Sequence, residues 1–176
     1  MKRRRKGRPA AAMAALALLL ALPVLAGEGA TAAAPSRFSL GAGFGIPFGV
    51  IGVSCEMNPI LGSGPDPVAK YFSLNLGLGV AVAGPGYSLG FRFYPLGRDR
   101  AWAPKVSLLY GVVAVVNWED IVRGFSLGAG IVRRLRKKLS LDGDVILIIN
   151  HFGFDYLDWD SVGRIKASLG VRWNLD

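Results

Sequence analysis

The sequence predicts an all-β protein, a single closed, antiparallel, up-and-down β-barrel of about eight strands that is transmembrane. Three observations lead to this prediction. The chain opens with a segment of the kind that directs export. Apolar residues then alternate with small or polar ones in one segment after another, which is the period of a β-strand. The polar positions are mostly Gly, Ser, Ala and Asn, whereas a water-exposed sheet surface would carry Lys, Glu, Thr and Gln.

Residues 1–26 have the parts of a secretory signal peptide. A basic start, residues 1–8, precedes a 17-residue apolar run in which Val24 and Ala26 stand at −3 and −1 of a cleavage site. An uncleaved membrane anchor is the alternative, although the run is short for a spanning helix and contains Pro23. We expect cleavage and export.

Removal of this segment changes the charge balance. Residues 1–26 hold six of the 21 Lys and Arg residues and none of the 12 acidic ones, so the net charge of the chain falls from +9 to +3 when they are removed. The basic character is therefore mainly a targeting feature, and we expect no nucleic-acid partner. The single cysteine, Cys55, lies on the apolar face of an alternating run, and an intermolecular link through it is the alternative.

The first four strands follow a small, flexible lead-in at residues 27–36, which precedes the barrel domain, residues 37–176. They are predicted at residues 37–45, 50–57, 70–82 and 87–94. A change of parity at residues 46–49 predicts a turn or a bulge, and one long bent strand there, leaving seven in all, is the alternative. The composition of residues 58–69 and 83–86 predicts a loop and a turn.

The last four strands are predicted at residues 105–117, 124–134, 139–149 and 163–176. In the first of them the even positions, from Val106 to Val116, form the apolar face. Residues 135–138 are a basic turn. The final strand has the most regular pattern, because every odd position from Ile165 to Leu175 is apolar. We find no pattern of an amphipathic helix, and eight strands can close into a barrel without edges.

The polar face decides which side of each strand meets water. An eight-stranded barrel has an interior just wide enough for side chains, so small residues and a few long, mutually paired charges suit it. We therefore expect lipid outside and a polar network in the lumen, formed by Glu56, Arg92, Lys105, Arg134, Asp142, Asp144, Arg164, Lys166 and Arg172. A soluble, lipocalin-like exported barrel that binds an apolar ligand is the alternative, and it reverses the orientation of every strand.

Aromatic residues near the strand ends fit the interfacial girdles of membrane barrels. The candidates are Phe38, Tyr71, Phe72, Tyr87, Phe93, Tyr110, Trp118, Phe125, Phe152 and Trp173. In a soluble barrel the same residues would be ordinary core aromatics.

With these patterns the sequence resembles the small outer-membrane β-barrel families, the OmpA-, OmpX- and OmpW-like eight-stranded proteins. The resemblance covers nearly all of residues 37–176 and rests on the signal peptide, the strands SLGAGFG, SLNLGLGVAV and SLGAGIV, and the alternating last strand. It departs at the end of the chain, WNLD, where those families usually have an aromatic residue. It implies a non-enzymatic protein of the outer membrane of a diderm bacterium, structural or binding a surface or lipid ligand, without cofactors. The implied partners are outer-membrane lipid, lipopolysaccharide and the barrel-assembly machinery.

Loop lengths depart from the pattern of short periplasmic turns and long outer loops. From a periplasmic N-terminus, the outer loops are expected at residues 46–49, 83–86, 117–123 and 150–163, and the turns at residues 58–69, 95–104 and 135–138. Two of these turns are long and two of the loops are short. Either the boundaries shift or the outer loops are reduced.

Three groups of residues raise alternative functions. His151, near Ser161, suggests a lipid-modifying barrel enzyme, but lipid A deacylases have a serine two residues after the histidine and this chain has Gly153. The nearby acids Asp155, Asp158 and Asp160 are a weak candidate for a cation loop, and we expect no metal site. The basic run Arg133, Arg136, Lys137 and Lys138 is a candidate contact for lipid headgroups, with a solvated turn as the alternative.

Overall fold

The computed structural model describes residues 36–58, 70–81, 83–116, 120–152 and 163–175, and these form a closed barrel of eight antiparallel strands. The strands are β1 (Phe38–Gly45), β2 (Val50–Met57), β3 (Phe72–Ala81), β4 (Gly84–Phe93), β5 (Trp102–Val116), β6 (Asp120–Arg134), β7 (Leu139–Phe152) and β8 (Ile165–Asn174). Each pairs with its neighbours in sequence, and β8 pairs with β1 to close the barrel. The all-β, eight-stranded prediction is confirmed, and the seven-stranded alternative is wrong.

The turn predicted at residues 83–86 is shorter than expected, because β4 already begins at Gly84. Ala81 pairs with Gly84 and Val80 with Pro85, which is the register of a tight hairpin. Strand β5 also begins three residues before the predicted start, at Trp102. Composition marked these positions as loop-like, whereas backbone pairing continues through them.

The apolar face predicted for β5 changes sides before the strand ends. Its register with β6 shifts between Val112 and Ala114, where the extra residue of a bulge reverses the alternation. Val113 and Ala114 therefore both join the apolar cluster of the interior. The prediction of Ala114 on the face of Val106 is wrong for this reason.

Residues 46–49 do not loop away from the barrel but fold into it. Ile46–Phe48 form a single 3-10 turn, called here the plug turn, whose three side chains are buried. Gly49 closes it at φ 65°, a left-handed conformation that favours glycine, and donates its N–H to Ile46 O at 3.1 Å. The Phe48 ring lies against Gly170 so closely that a Cβ there would be 2.2 Å from Phe48 Cζ.

The lumen has two zones. The plug end, where β1 joins β2, contains an apolar cluster of Ile46, Leu109, Val113, Ala114, Val122, Ile146 and Ile148. The opposite end, called here the terminal end, carries Ser36 and Leu175 and the β6–β7 turn, and charged residues fill the lumen there.

The outer wall is strongly apolar. Ile51 is 67% exposed, Val80 68% and Phe91 62%, and other Val, Leu, Ile and Phe side chains line the same wall. Among the described residues, no helix is both long and apolar enough to cross a membrane.

Candidate functional site

Buried charges from six elements meet in the lumen at the terminal end. In the strands, alternation turns the charged side chains inward, because their neighbours in sequence face the wall. The group, called here the charge cluster, consists of Glu56, Arg92, Arg98, Lys105, Asp142, Asp144 and Arg172. Six of the seven come from strands, and Arg98 comes from the segment between β4 and β5.

Glu56 is the most heavily bonded carboxylate of the charge cluster. Its Oε1 accepts hydrogen bonds from Ser73 Oγ at 2.6 Å and from Tyr94 OH at 2.8 Å. Its Oε2 accepts from Arg92 Nη1 at 2.7 Å and also from Arg172. A carboxylate buried to this degree is tolerable because each oxygen has several donors.

Two aspartates of β7 complete the negative side of the cluster. Asp142 accepts from Arg92 Nη1 at 3.1 Å and also contacts Lys105 and Arg172. Lys105 Nζ lies 2.9 Å from Asp144 Oδ2. The cluster therefore links strands on opposite sides of the lumen, and it fills the space that an aqueous channel would need.

A small cavity opens between the charge cluster and the terminal end. This rim cavity is lined by Ser36, Tyr94, Arg98, Arg100, Ala103, Val132, Arg134, Ser140, Arg172 and Asn174. Arg98 Nη2 lies 3.0 Å from Glu56 Oε1, and burial lowers the pKa of Arg98. Burial also raises the pKa of Tyr94, against the lowering effect of Arg98 and Arg92.

Six of the nine residues predicted for the lumen network lie in the charge cluster, and three lie elsewhere. Arg134 is at the rim cavity, where it donates to the backbone carbonyls of Asp99 and Arg98 at 3.2 Å. Arg164 is exposed just before β8. Lys166 has the lumen-facing parity but pairs in register with Ile146, toward the plug end.

The other predicted site residues are on the surface or outside the described part. Arg133, Arg136, Lys137 and Lys138 are exposed at and beside the β6–β7 turn, and the Arg133 guanidinium lies 4.6 Å from the centre of the Trp102 ring. His151 is partly exposed near the end of β7. Ser161, Asp155, Asp158 and Asp160 lie outside the described residues. Among the residues that the structure describes, no group of three or more His, Cys, Asp or Glu could hold a metal ion.

The girdle candidates that lie on described strands are on the wall. The ring centres of Phe72 and Phe93 lie 4.9 Å apart in a tilted arrangement near the terminal end. Those of Tyr110 and Phe125, on β5 and β6, lie 5.0 Å apart and are also tilted. Phe152 meets Phe125 edge-on at 6.0 Å. The remaining described candidates, Phe38, Tyr71, Tyr87 and Trp173, are exposed or half-exposed, and Trp118 lies outside the described residues.

Sequence reasoning missed three contributors to the lumen. Tyr94 shares the parity of Arg92, and this shared parity could have predicted that its side chain points inward. Arg98 comes from an irregular segment, where alternation gives no direction. Phe48 lies in the parity break, where the pattern signals a turn but not where the turn folds.

No family model, curated protein or solved structure matches the chain. Any statement about its role therefore depends on the barrel itself.

Proposed function

We propose that this chain is a small, non-enzymatic outer-membrane β-barrel protein, similar to the OmpA-, OmpX- and OmpW-like barrels, with a structural or lipid-binding role. One observation carries the proposal. The polarity of the barrel is inverted with respect to a soluble protein, because charged side chains such as Arg92 and Lys105 are 0% exposed while Ile51 and Val80 are more than 60% exposed. Lipid outside the wall removes the cost of exposing that apolar surface.

The aromatic residues support the same placement. Phe72 and Phe93 lie near the terminal end of the wall, and Tyr110, Phe125 and Phe152 lie toward the plug end. Two levels of aromatic side chains on one apolar wall suit the two interfaces of a bilayer. The exposed basic residues of the β6–β7 turn, Arg136 to Lys138, then stand at the level of anionic headgroups.

The interior argues against a diffusion pore and against a carrier of apolar ligands. The charge cluster spans the lumen at one end, and the plug turn and its apolar cluster fill it at the other. An apolar ligand would have to displace the buried Phe48 or lie against ionised side chains, both of which cost free energy.

Membrane assembly tests the proposal with a matched pair of variants. Leu89→Arg places a charge on the wall in the middle of β4, where we expect a cost of about 2–4 kcal/mol at the bilayer midplane. Leu96→Arg makes the same change at an exposed site between β4 and β5. Each protein is recovered from membrane fractions and run in dodecyl sulfate unboiled and boiled, since a closed membrane barrel shifts on heating.

We expect the unsubstituted chain and Leu96→Arg to be recovered in the outer-membrane fraction and to change gel migration on heating. Leu89→Arg should give less folded protein. Recovery of all three as free periplasmic proteins, or equal assembly of the two variants, would contradict a lipid-facing wall.

A further inference from the structure

We propose that the rim cavity is a binding site for a phosphate group, held by Arg98, Arg100 and Arg134. The cavity is formed by the barrel and its β4–β5 segment, at the terminal end of the lumen. Its lining residues Arg134 and Ser140 flank the exposed basic turn that the sequence marked as a headgroup contact, but Arg136, Lys137 and Lys138 of that turn do not line the cavity.

The charge of the lining favours an anion. Four arginines line the cavity, and no acidic residue does. Two of them, Arg98 and Arg172, also belong to the charge cluster, where three carboxylates face four cations, so the cluster leaves an excess of positive charge beside Arg100 and Arg134. Arginine-lined sites suit phosphate because the guanidinium presents paired donors to its oxygens.

Among the lining arginines, Arg134 gives the strongest argument for a ligand. Its guanidinium donates to two backbone carbonyls, those of Asp99 and Arg98, and none of the ion pairs among the described residues includes it. Those carbonyls fix the side chain, and the nearby Asp99 carboxylate, which pairs with Lys70, favours the charge of Arg134 without forming an ion pair with it. Burial lowers the pKa of Arg98 beside it, and a bound anion would offset that penalty.

The cavity is small, and its volume of about 30 Å³ suits two or three waters at about 10–15 Å³ each. A phosphate would therefore place some of its oxygens in the cavity and keep the others at its mouth. Ser140 and Asn174 add a hydroxyl and an amide to the lining, which are suitable donors to oxyanion oxygens, whereas the Ser36 hydroxyl already donates to Phe38 O. The phosphate could belong to a free ion or to a lipid headgroup, since the terminal end would face an interface if the barrel spans a membrane.

Titration calorimetry of the folded barrel with inorganic phosphate tests the site. The protein is held in dodecyl maltoside, which brings no phosphate or charge of its own. Loss of a hydrogen bond to a charged group predicts that Arg134→Gln weakens phosphate binding about tenfold or more. Arg133→Gln is the matched control, because it removes one positive charge from the same rim but from a side chain that stacks on Trp102 outside the cavity.

Arg100→Gln is the second variant, because Arg100 also lines the cavity and is exposed. Saturable binding that both Arg134→Gln and Arg100→Gln weaken, and Arg133→Gln does not, supports the site. No saturable binding to the folded barrel, or equal weakening by Arg133→Gln, overturns it.

Competition identifies the source of the phosphate. Soluble short-chain phosphatidylglycerol that displaces inorganic phosphate indicates a lipid headgroup, and failure to displace it indicates a free phosphate ligand. Only this lipid arm rests on the proposed membrane role. The inorganic phosphate arm uses the folded barrel in detergent, so the failure of either proposal can be recognised separately.

Discussion

Arg92 Nη1 lies 2.7 Å from Glu56 Oε2 inside the barrel, and these two side chains are 0% and 1% exposed. They come from β4 and β2, which are separated by β3, so the ion pair reaches across the lumen instead of along one strand pair. Arg172 of β8 and Asp142 of β7 join it. The charge cluster therefore connects strands that the backbone hydrogen bonds leave apart.

Neutralising the centre of this cluster should destabilise the barrel. Glu56→Gln leaves three buried arginines with too little negative charge, and we expect the free energy of unfolding to fall by about 3–5 kcal/mol. Urea-induced unfolding followed by tryptophan fluorescence measures the change. Lys70→Gln, which breaks an ion pair with Asp99 at the surface, should leave the midpoint unchanged. Equal midpoints for Glu56→Gln and the unsubstituted chain would show that the cluster does not hold the barrel together.

The packing of the plug turn requires glycine at residue 170, because the Phe48 ring lies very close to the backbone there. A Cβ at residue 170 would lie 2.2 Å from Phe48 Cζ, so Gly170→Ala must displace the buried ring. We expect a loss of about 1–3 kcal/mol in the free energy of unfolding, the usual cost of overpacking. Gly143→Ala is the matched control, because a Cβ there would meet no atom closer than 3.9 Å. If both variants unfold at the same urea concentration, Phe48 does not pack on β8 as described.

Tyr94 should make the barrel sensitive to alkaline pH. Burial raises its pKa above the ordinary value of 10.0, so the folded state holds the proton more tightly than the unfolded state. The resulting stability is fully present below about pH 10 and is lost as the pH rises through the folded-state pKa. Absorbance of tyrosinate should show one late transition, which Tyr94→Phe removes.

Tyr110→Phe, on the stacked wall, is the control for that titration and should leave the late transition in place. A late transition that persists in Tyr94→Phe would assign it to another tyrosine and contradict the burial of Tyr94.

The alternation of apolar and polar residues predicted side-chain orientation wherever the strands are regular. It placed Glu56 and Arg92 on one face and their neighbours on the other, and the structure has the same arrangement. It could not locate Ala114, because a bulge reverses parity without a mark in composition. It also could not show how far along the lumen a residue lies, so Lys166 and Asp142 looked equivalent although one pairs with Ile146 and the other joins the charge cluster.

Periodicity could not predict where the residues of the irregular segments lie. The plug turn and Arg98 acquire their positions from tertiary contacts, with Phe48 against glycines of other strands and Arg98 against Glu56. The rim cavity is formed by regular strands and an irregular segment together, since its arginines come from β6, β8 and the residues between β4 and β5. No single stretch of sequence contains that site.

The single cysteine gives the most direct test of whether the apolar wall faces lipid. Cys55 lies on the wall of β2, in register with Leu40 of β1 and Leu76 of β3, which are both exposed. A nitroxide label on Cys55 in reconstituted vesicles can be tested with oxygen, which concentrates in hydrocarbon, and with a water-soluble nickel chelate. A label on Lys137→Cys in a Cys55→Ala background, at an exposed turn, gives the aqueous reference. A lipid-facing wall predicts high oxygen and low nickel accessibility at Cys55; nickel accessibility equal to that of the turn would show that water meets the wall and would contradict the membrane barrel.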